Sequence, residues 1–418
     1  MKWFYLFLFL IQATAALAGS PLPTTTPSRA GLSPERLERM HKAIQSYIDQ
    51  GRHAGAISVI VRNGKIADFA TYGYRDLETR APMTPDTIVR IYSMSKVITS
   101  AAVLQLFEEG RFNLTDPVAN YIPELKRLKV CTGGTADAPT LVDATNAITI
   151  KHLLTHTAGF GYDFSAREPV KQLYEKADLW NDNVTLKEFI QRVSRLPLVN
   201  QPGTAFNYGI NIDVLGYLVE VVSGRPFETY LQEHLFGPLK MTDTSFDVPE
   251  DKRSRLAKIY EAGPNGALRE VAVPPYGTYA EKGRGFASGG GGLFSTAGDY
   301  IRFAQMLLNG GHLEGKQVLG KKTVELMTAN NLTFLPNGTL GGTQSQGFGL
   351  GGSVRLDVAK ENTLGSVGQF GWSGAATTTF NIDPQEKTVS LLFTQHLPFN
   401  QYNIFAKFQT LFYASIVE

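Results

Sequence analysis

Between Ser33 and Gln50 apolar residues recur at helical spacing, with Leu37, Met40, Ile44 and Ile48 on one stripe. Ser33 followed by Pro34 supplies a cap and a first-turn proline, so the pattern predicts a helix that starts there. The period then changes. Ala56 to Val61 is rich in β-formers, Asn63-Gly64 supplies a tight turn, and Ile66 to Tyr74 reads as the returning strand. Near the other end, Leu350 to Arg355, Gly365 to Phe380 and Thr388 to Thr394 predict further strands, and an apolar helix over about Asn403 to Ile416 closes the chain. The middle is mainly helical in pattern: Leu186 to Val193, Asp213 to Val222, Phe227 to Leu235 and Asp299 to Leu308. The predicted fold class is therefore α+β. Strands from both ends form one antiparallel sheet flanked by helices, so residues 31–111 and 331–418 make an α/β lobe. Residues 112–330 form a mainly helical lobe inserted between them. No internal repeat at solenoid spacing is present.

The first residues follow another pattern. Lys2 precedes an apolar run from Trp3 to Ile11, and small residues end in Ala16-Leu17-Ala18. That is the layout of a secretory signal cut after Ala18. The run is too short to span a bilayer, which takes about 20 apolar residues. A secreted or periplasmic protein without stable membrane insertion is expected. Residues 19–30, rich in Pro, Ser and Thr, predict a flexible leader before one domain over 31–418. Composition adds mostly exclusions. The 40 basic and 38 acidic residues nearly cancel, which argues against nucleic acid or an anionic membrane as a partner. Cys131 is the only cysteine, so neither an internal disulfide nor a cysteine metal cage is available.

The chemistry concentrates in Arg90-Ile91-Tyr92-Ser93-Met94-Ser95-Lys96-Val97, which runs into an apolar helix ending at Gly110. A spacing of three puts Ser93 and Lys96 on one helix face, within reach of direct proton transfer. A serine hydroxyl attacks a carbonyl only when a base takes its proton, and a helix N-terminus favours the negative charge that develops. A free lysine keeps its proton to about pH 10.4, so Lys96 acts as a base near neutrality only if burial or positive neighbours weaken its hold. Other motifs lack their company. His152 and His156 stand four apart, but Leu153 takes the place where a zinc protease needs Glu, so structural histidines are expected. The glycines 289–292 are not followed by Gly-Lys-Ser/Thr, and Gly371-Trp372-Ser373-Gly374-Ala375 falls one residue short of a nucleophile elbow. Tyr162, Phe164 and Trp180 in one loop, and Tyr276 and Tyr279 in another, are candidate walls of an acyl pocket. Nothing calls for a metal or organic cofactor.

Four stretches in order carry a resemblance: Ser93-Met94-Ser95-Lys96, Leu153 to Phe160, Pro202 to Tyr208, and Gly289 to Thr296, with Gly371 to Gly374 after them. Along nearly all of its mature length the chain resembles the class C β-lactamase and family VIII carboxylesterase group. The resemblance implies a β-lactamase/transpeptidase-like fold, Ser93 as nucleophile, Lys96 as general base, and Tyr208 as the tyrosine that relays the proton. It implies an oxyanion hole made by the backbone N–H groups of Ser93 and Ala375, with substrate contacts from Trp372, Ser373 and Gly374. Two departures stand out. The family's Tyr-x-Asn is here Tyr208-Gly209-Ile210 with Asn211 one place late, which leaves the amide contact open with Asn211 as its candidate. Trp372 stands where a lysine or histidine would bind a substrate carboxylate, so a neutral acyl substrate is favoured. The implied activity is carboxylic ester hydrolysis through an acyl-serine intermediate, on a small-molecule ester, with an optimum of roughly pH 8 to 9. β-Lactam or D-amino-acid peptide hydrolysis, acyl transfer, and a non-catalytic peptidoglycan-binding or partner-binding scaffold are the alternatives.

Overall fold

The computed structural model describes residues 22–180, 184–272 and 286–418. The expected signal segment, Tyr276 and Tyr279 lie outside the described residues. Helix α1 (Pro34–Asp49) begins where Ser33 Oγ accepts the Arg36 N–H, with Pro34 as its first residue. Strands β1 (Gly55–Arg62) and β2 (Lys65–Asp76) form the predicted hairpin, with Asn63 and Gly64 both at positive φ as a tight turn of this kind requires. A short edge strand, β3 (Ala81–Pro82), completes that side. From the C-terminal part come β4 (Gln346–Phe348), β5 (Ser353–Arg355), β6 (Phe370–Gly374), β7 (Thr378–Asp383) and β8 (Thr388–Phe393). The order is β4-β5-β6-β7-β8-β1-β2-β3, and every pairing is antiparallel. Strands from the two ends of the chain thus meet at β1 and β8, with Val59 opposite Leu391.

Every residue of β1 is buried because both faces of the sheet are covered. Ala56 and Ile60 face Leu37, Met40 and Ile44 of α1, together with Phe408 and Phe412 of the last helix (Ile404–Ser415). Ile57, Val59 and Val61 belong to the larger core on the opposite face. That core takes in the helix Ser95–Glu108, the helix Asn211–Ser223 and the helix Ala297–Leu308.

Three expectations change. Residues 22–30 are not loose: Leu22 is buried, and Ile66 exchanges backbone hydrogen bonds with Pro23 and Thr25. The span Gly365 to Phe380 is not one strand, because a turn at Ala375–Thr377, with Thr377 at positive φ, separates β6 from β7. The helix Ala297–Leu308, placed by sequence in the helical lobe, packs on the sheet instead, with Tyr300 4.9 Å from the Phe380 ring. Its Tyr300 hydroxyl donates to the Met94 carbonyl, next to Ser93.

Behind the sheet, His53 is buried beside His396 (rings 4.7 Å apart), and neither His53 nitrogen has a hydrogen-bond partner among the described residues. Burial, reinforced by His396, pushes its pKa down to about 3. The unfolded chain then binds more protons than the folded one between about pH 6.5 and that value, so stability is complete above this window and drains as pH falls through it. Moving from pH 7 to pH 5 is expected to cost about 2 kcal/mol through this residue. Urea unfolding at the two pH values checks this, and His53→Leu is expected to flatten the dependence.

Candidate active site

Ser93 opens the helix that leads to Glu108, in a 3-10 turn (Tyr92–Met94) just before the regular helix. Tyr92 stands at φ 41°, in the left-handed region that a bulky residue seldom occupies. The turn is held by Ile91 N–H on the Leu293 carbonyl and Met94 N–H on the Ile91 carbonyl. One turn further, Lys96 is fully buried. Its Nζ lies 3.2 Å from Ser93 Oγ, 3.1 Å from the Tyr162 hydroxyl and 2.6 Å from the Gly290 carbonyl. The Lys96 amine is therefore surrounded by three oxygens, one of them the serine.

Tyr208 is placed differently from the sequence expectation. Its ring face lies 4.8 Å from Lys96 Nζ, while its hydroxyl accepts the Trp372 indole N–H at 3.2 Å. The hydroxyl in contact with the lysine belongs to Tyr162, which sequence reasoning took only for a pocket wall. Its one local signal was position, two residues beyond the Leu153 to Phe160 stretch. Phe164 stacks on Tyr162 at 4.9 Å, and Trp180 lies 6.1 Å away.

Asn211 does not reach the cleft. It starts the helix Asn211–Ser223, is fully buried, and its amide contacts His156 Nδ1 at 2.9 Å. The one-residue offset in the motif turns it inward, beneath Tyr208. His156 Nδ1 also accepts the Gly209 N–H, and its ring lies 4.7 Å from that of Tyr208. Burial holds this histidine well below its ordinary range, so it is a neutral backing for the tyrosine. His152 serves its own helix, Ile150–Leu154, by accepting the Thr149 N–H as part of a capping box.

The opposite wall is β6. Gly374 passes so close to the turn that carries Ser93 that a Cβ there would stand 2.3 Å from the Ile91 carbonyl, and only glycine fits. Trp372 meets Phe348 edge to face at 5.2 Å, and the Ser373 hydroxyl donates to Thr379 Oγ1. Among the described residues, neither the Ser93 nor the Ala375 N–H donates to another backbone carbonyl. Ser93 and Ala375 stand together where two cavities meet. One, of about 60 Å³, is walled by Tyr92, Tyr162, Phe164, Trp180 and the glycine segment. The other is an open groove of about 920 Å³ that runs past Tyr208 and Trp372 to Phe399 and Phe405.

A family model described as Beta-lactamase matches residues 40–414. The chain belongs to the β-lactamase family. It is similar to Protein Rv1367c of Mycobacterium tuberculosis, 35% identical over 87% of this chain and 90% of that protein. It is also similar to the lovastatin esterase of Penicillium rubens, 32% identical over 82% of this chain and 89% of that protein. Among solved structures, EstCE1, described as a hydrolase with promiscuous acyltransferase activity, superposes with a TM-score of 0.76 at 25% identity. That match covers 90% of this chain and 98% of the other. The antiparallel sheet with flanking helices is the β-lactamase/transpeptidase-like fold, and this family of serine hydrolases includes esterase and acyltransferase relatives.

Within that family frame the two tyrosines are separable. Tyr162→Phe removes the hydroxyl at Lys96 and is expected to lower kcat by about 100-fold with little change in KM. Trp372→Phe removes the donor to Tyr208 while keeping an aromatic ring in the groove wall against Phe348, and is expected to cost less than about 10-fold. Steady-state kinetics on both variants checks the order, which a reversal would contradict.

Proposed function

We propose that this chain is a carboxylesterase that works through an acyl-Ser93 intermediate. The observation that carries the reading is the fully buried Lys96 amine, 3.2 Å from Ser93 Oγ, at the point where the two cavities meet. As Ser93 Oγ bonds to the ester carbonyl carbon, its proton passes to Lys96 Nζ. The carbonyl oxygen, now negative, is met by the Ser93 and Ala375 N–H groups, each worth a few kcal/mol of barrier. The carbon–oxygen bond to the alcohol then breaks, and the proton returns to the leaving oxygen. Tyr208 lines the groove with its ring over Lys96 Nζ, and in this reading its hydroxyl gives a proton to the leaving oxygen and takes in return the one that Lys96 holds. Water repeats the sequence in reverse roles and frees Ser93.

The small cavity suits the acyl half and the open groove the alcohol half. Among the described residues lining the groove there is no Lys, Arg or His, while Glu261 and Glu361 are present. A β-lactam or a peptide C-terminus brings a carboxylate that finds no cation there. The groove's volume and the description of EstCE1 favour acyl transfer to an alcohol as the second reading. The pattern of Lys2 through Ala18 supports export of the chain.

A p-nitrophenyl ester series assayed beside nitrocefin tests the reading. Ester turnover is expected to exceed nitrocefin cleavage, and Ser93→Ala is expected to reduce it by at least about 1,000-fold. Faster cleavage of nitrocefin would contradict the substrate assignment, and turnover that survives Ser93→Ala would contradict the nucleophile. Product partition with added alcohol then separates hydrolysis from transfer.

A further inference from the structure

Beneath the glycine segment lies a carboxylate that the proton path does not use. Asp213, in the first turn of the helix Asn211–Ser223, is wholly buried. Its Oδ1 accepts the Ser288 hydroxyl and, at 3.0 Å, the Gly290 N–H. Its Oδ2 has no hydrogen-bond partner among the described residues. That oxygen lies so close to Gly290 that a Cβ on this residue would stand 2.3 Å away. The carbonyl of the same Gly290 receives Lys96 Nζ at 2.6 Å. Asp213 and Lys96 therefore hold the N–H and the carbonyl of one glycine, and any side chain at position 290 would collide with the Asp213 carboxyl.

A buried carboxylate with an unmatched oxygen is tolerated when positive charge stands close. Burial pushes the Asp213 carboxyl up, and the charge of Lys96 opposes that push. Among the described residues, the other ionisable groups facing the amine are His156, Tyr162 and Tyr208, and burial keeps His156 neutral. Among the described residues Asp213 is the carboxyl that shares Gly290 with the base.

We propose that Asp213 is a positioning residue for Lys96: it fixes the Gly290 carbonyl against the amine and its charge favours the ammonium that forms when Ser93 gives up its proton. The inference rests on the reading of Lys96 as the base for Ser93. It also explains why a glycine, and not merely a small residue, stands at 290.

The test follows the rate at which a fluorophosphonate labels Ser93, measured against pH in wild type, Asp213→Asn and Ser288→Ala. Asparagine keeps an acceptor for Gly290 and Ser288 but removes the charge. The acid limb of the Asp213→Asn profile is expected about one pH unit lower, with a plateau rate about 10-fold smaller. Ser288→Ala keeps the carboxyl and removes one of its hydrogen bonds, and is expected to displace the limb by less than Asp213→Asn does. Coincident limbs in wild type and Asp213→Asn would overturn the inference, as would an equal displacement in Ser288→Ala. If Asp213→Asn does not fold, carbon-13 NMR of aspartate-labelled wild type carries the test. The Asp213 carboxyl carbon is expected to shift across the acid limb as an ionised group, and a carboxyl protonated throughout would overturn the proposal. Failure of wild type to label at any pH would overturn the underlying assignment of Lys96, whereas labelling with an unmoved limb overturns only the role of Asp213.

Discussion

A lysine amine taken wholly out of water is costly unless its polar hydrogens are matched. Lys96 is matched by three oxygens, those of Ser93, Tyr162 and Gly290. Each oxygen comes from a different part of the chain, and much of the fold serves to bring them to one point. Ser93 and Lys96 share a helix end, Tyr162 arrives on the loop after the helix Ile150–Leu154, and Gly290 arrives on the segment that precedes the helix Ala297–Leu308. The same burial that makes the lysine costly makes its hydrogen bonds strong, since water does not compete for them.

The sheet sets the other side of the reaction centre. β6 is paired on both edges, to β5 and β7, so its position is over-determined. It is the rigidity of that strand that lets Gly374 lie against the Ile91 carbonyl and brings Ala375 beside Ser93. Tyr92, held at positive φ, is the local strain on the Ser93 side of this contact. The two cavities diverge from this junction, one small and walled by aromatic rings, one open and without described cations, so the two sides of Ser93 offer different surroundings.

What could be read in the sequence was what local pattern decides. The α1 stripe, the Asn63-Gly64 hairpin and the helix Leu186–Val193 follow from spacing and turn chemistry, and the Ser93–Lys96 pair follows from one helical turn. Tyr162 was not legible as a partner of Lys96, because 66 residues separate them and only the packed fold closes that distance. Asn211 was misjudged for a related reason. Its place in the motif suggested the cleft, but it is the first residue of a helix and is turned toward His156. The turn inside Gly365 to Phe380 has no Asn-Gly or Pro signal and is set by the tertiary approach of Gly374 to Ile91. The helix Ala297–Leu308 carries an apolar face of the sort any core would accept, so its attachment to the sheet was not written in its period.

The central claim is that Ser93 carries the acyl group between the two halves of the reaction. The most direct measurement is the mass of the protein quenched in acid during turnover of a p-nitrophenyl ester, followed by peptide mapping. A gain of one acyl group is expected on the peptide that contains Ser93, absent in Ser93→Ala. Ester turnover with no acyl group on that peptide, or with the group on another residue, would contradict it.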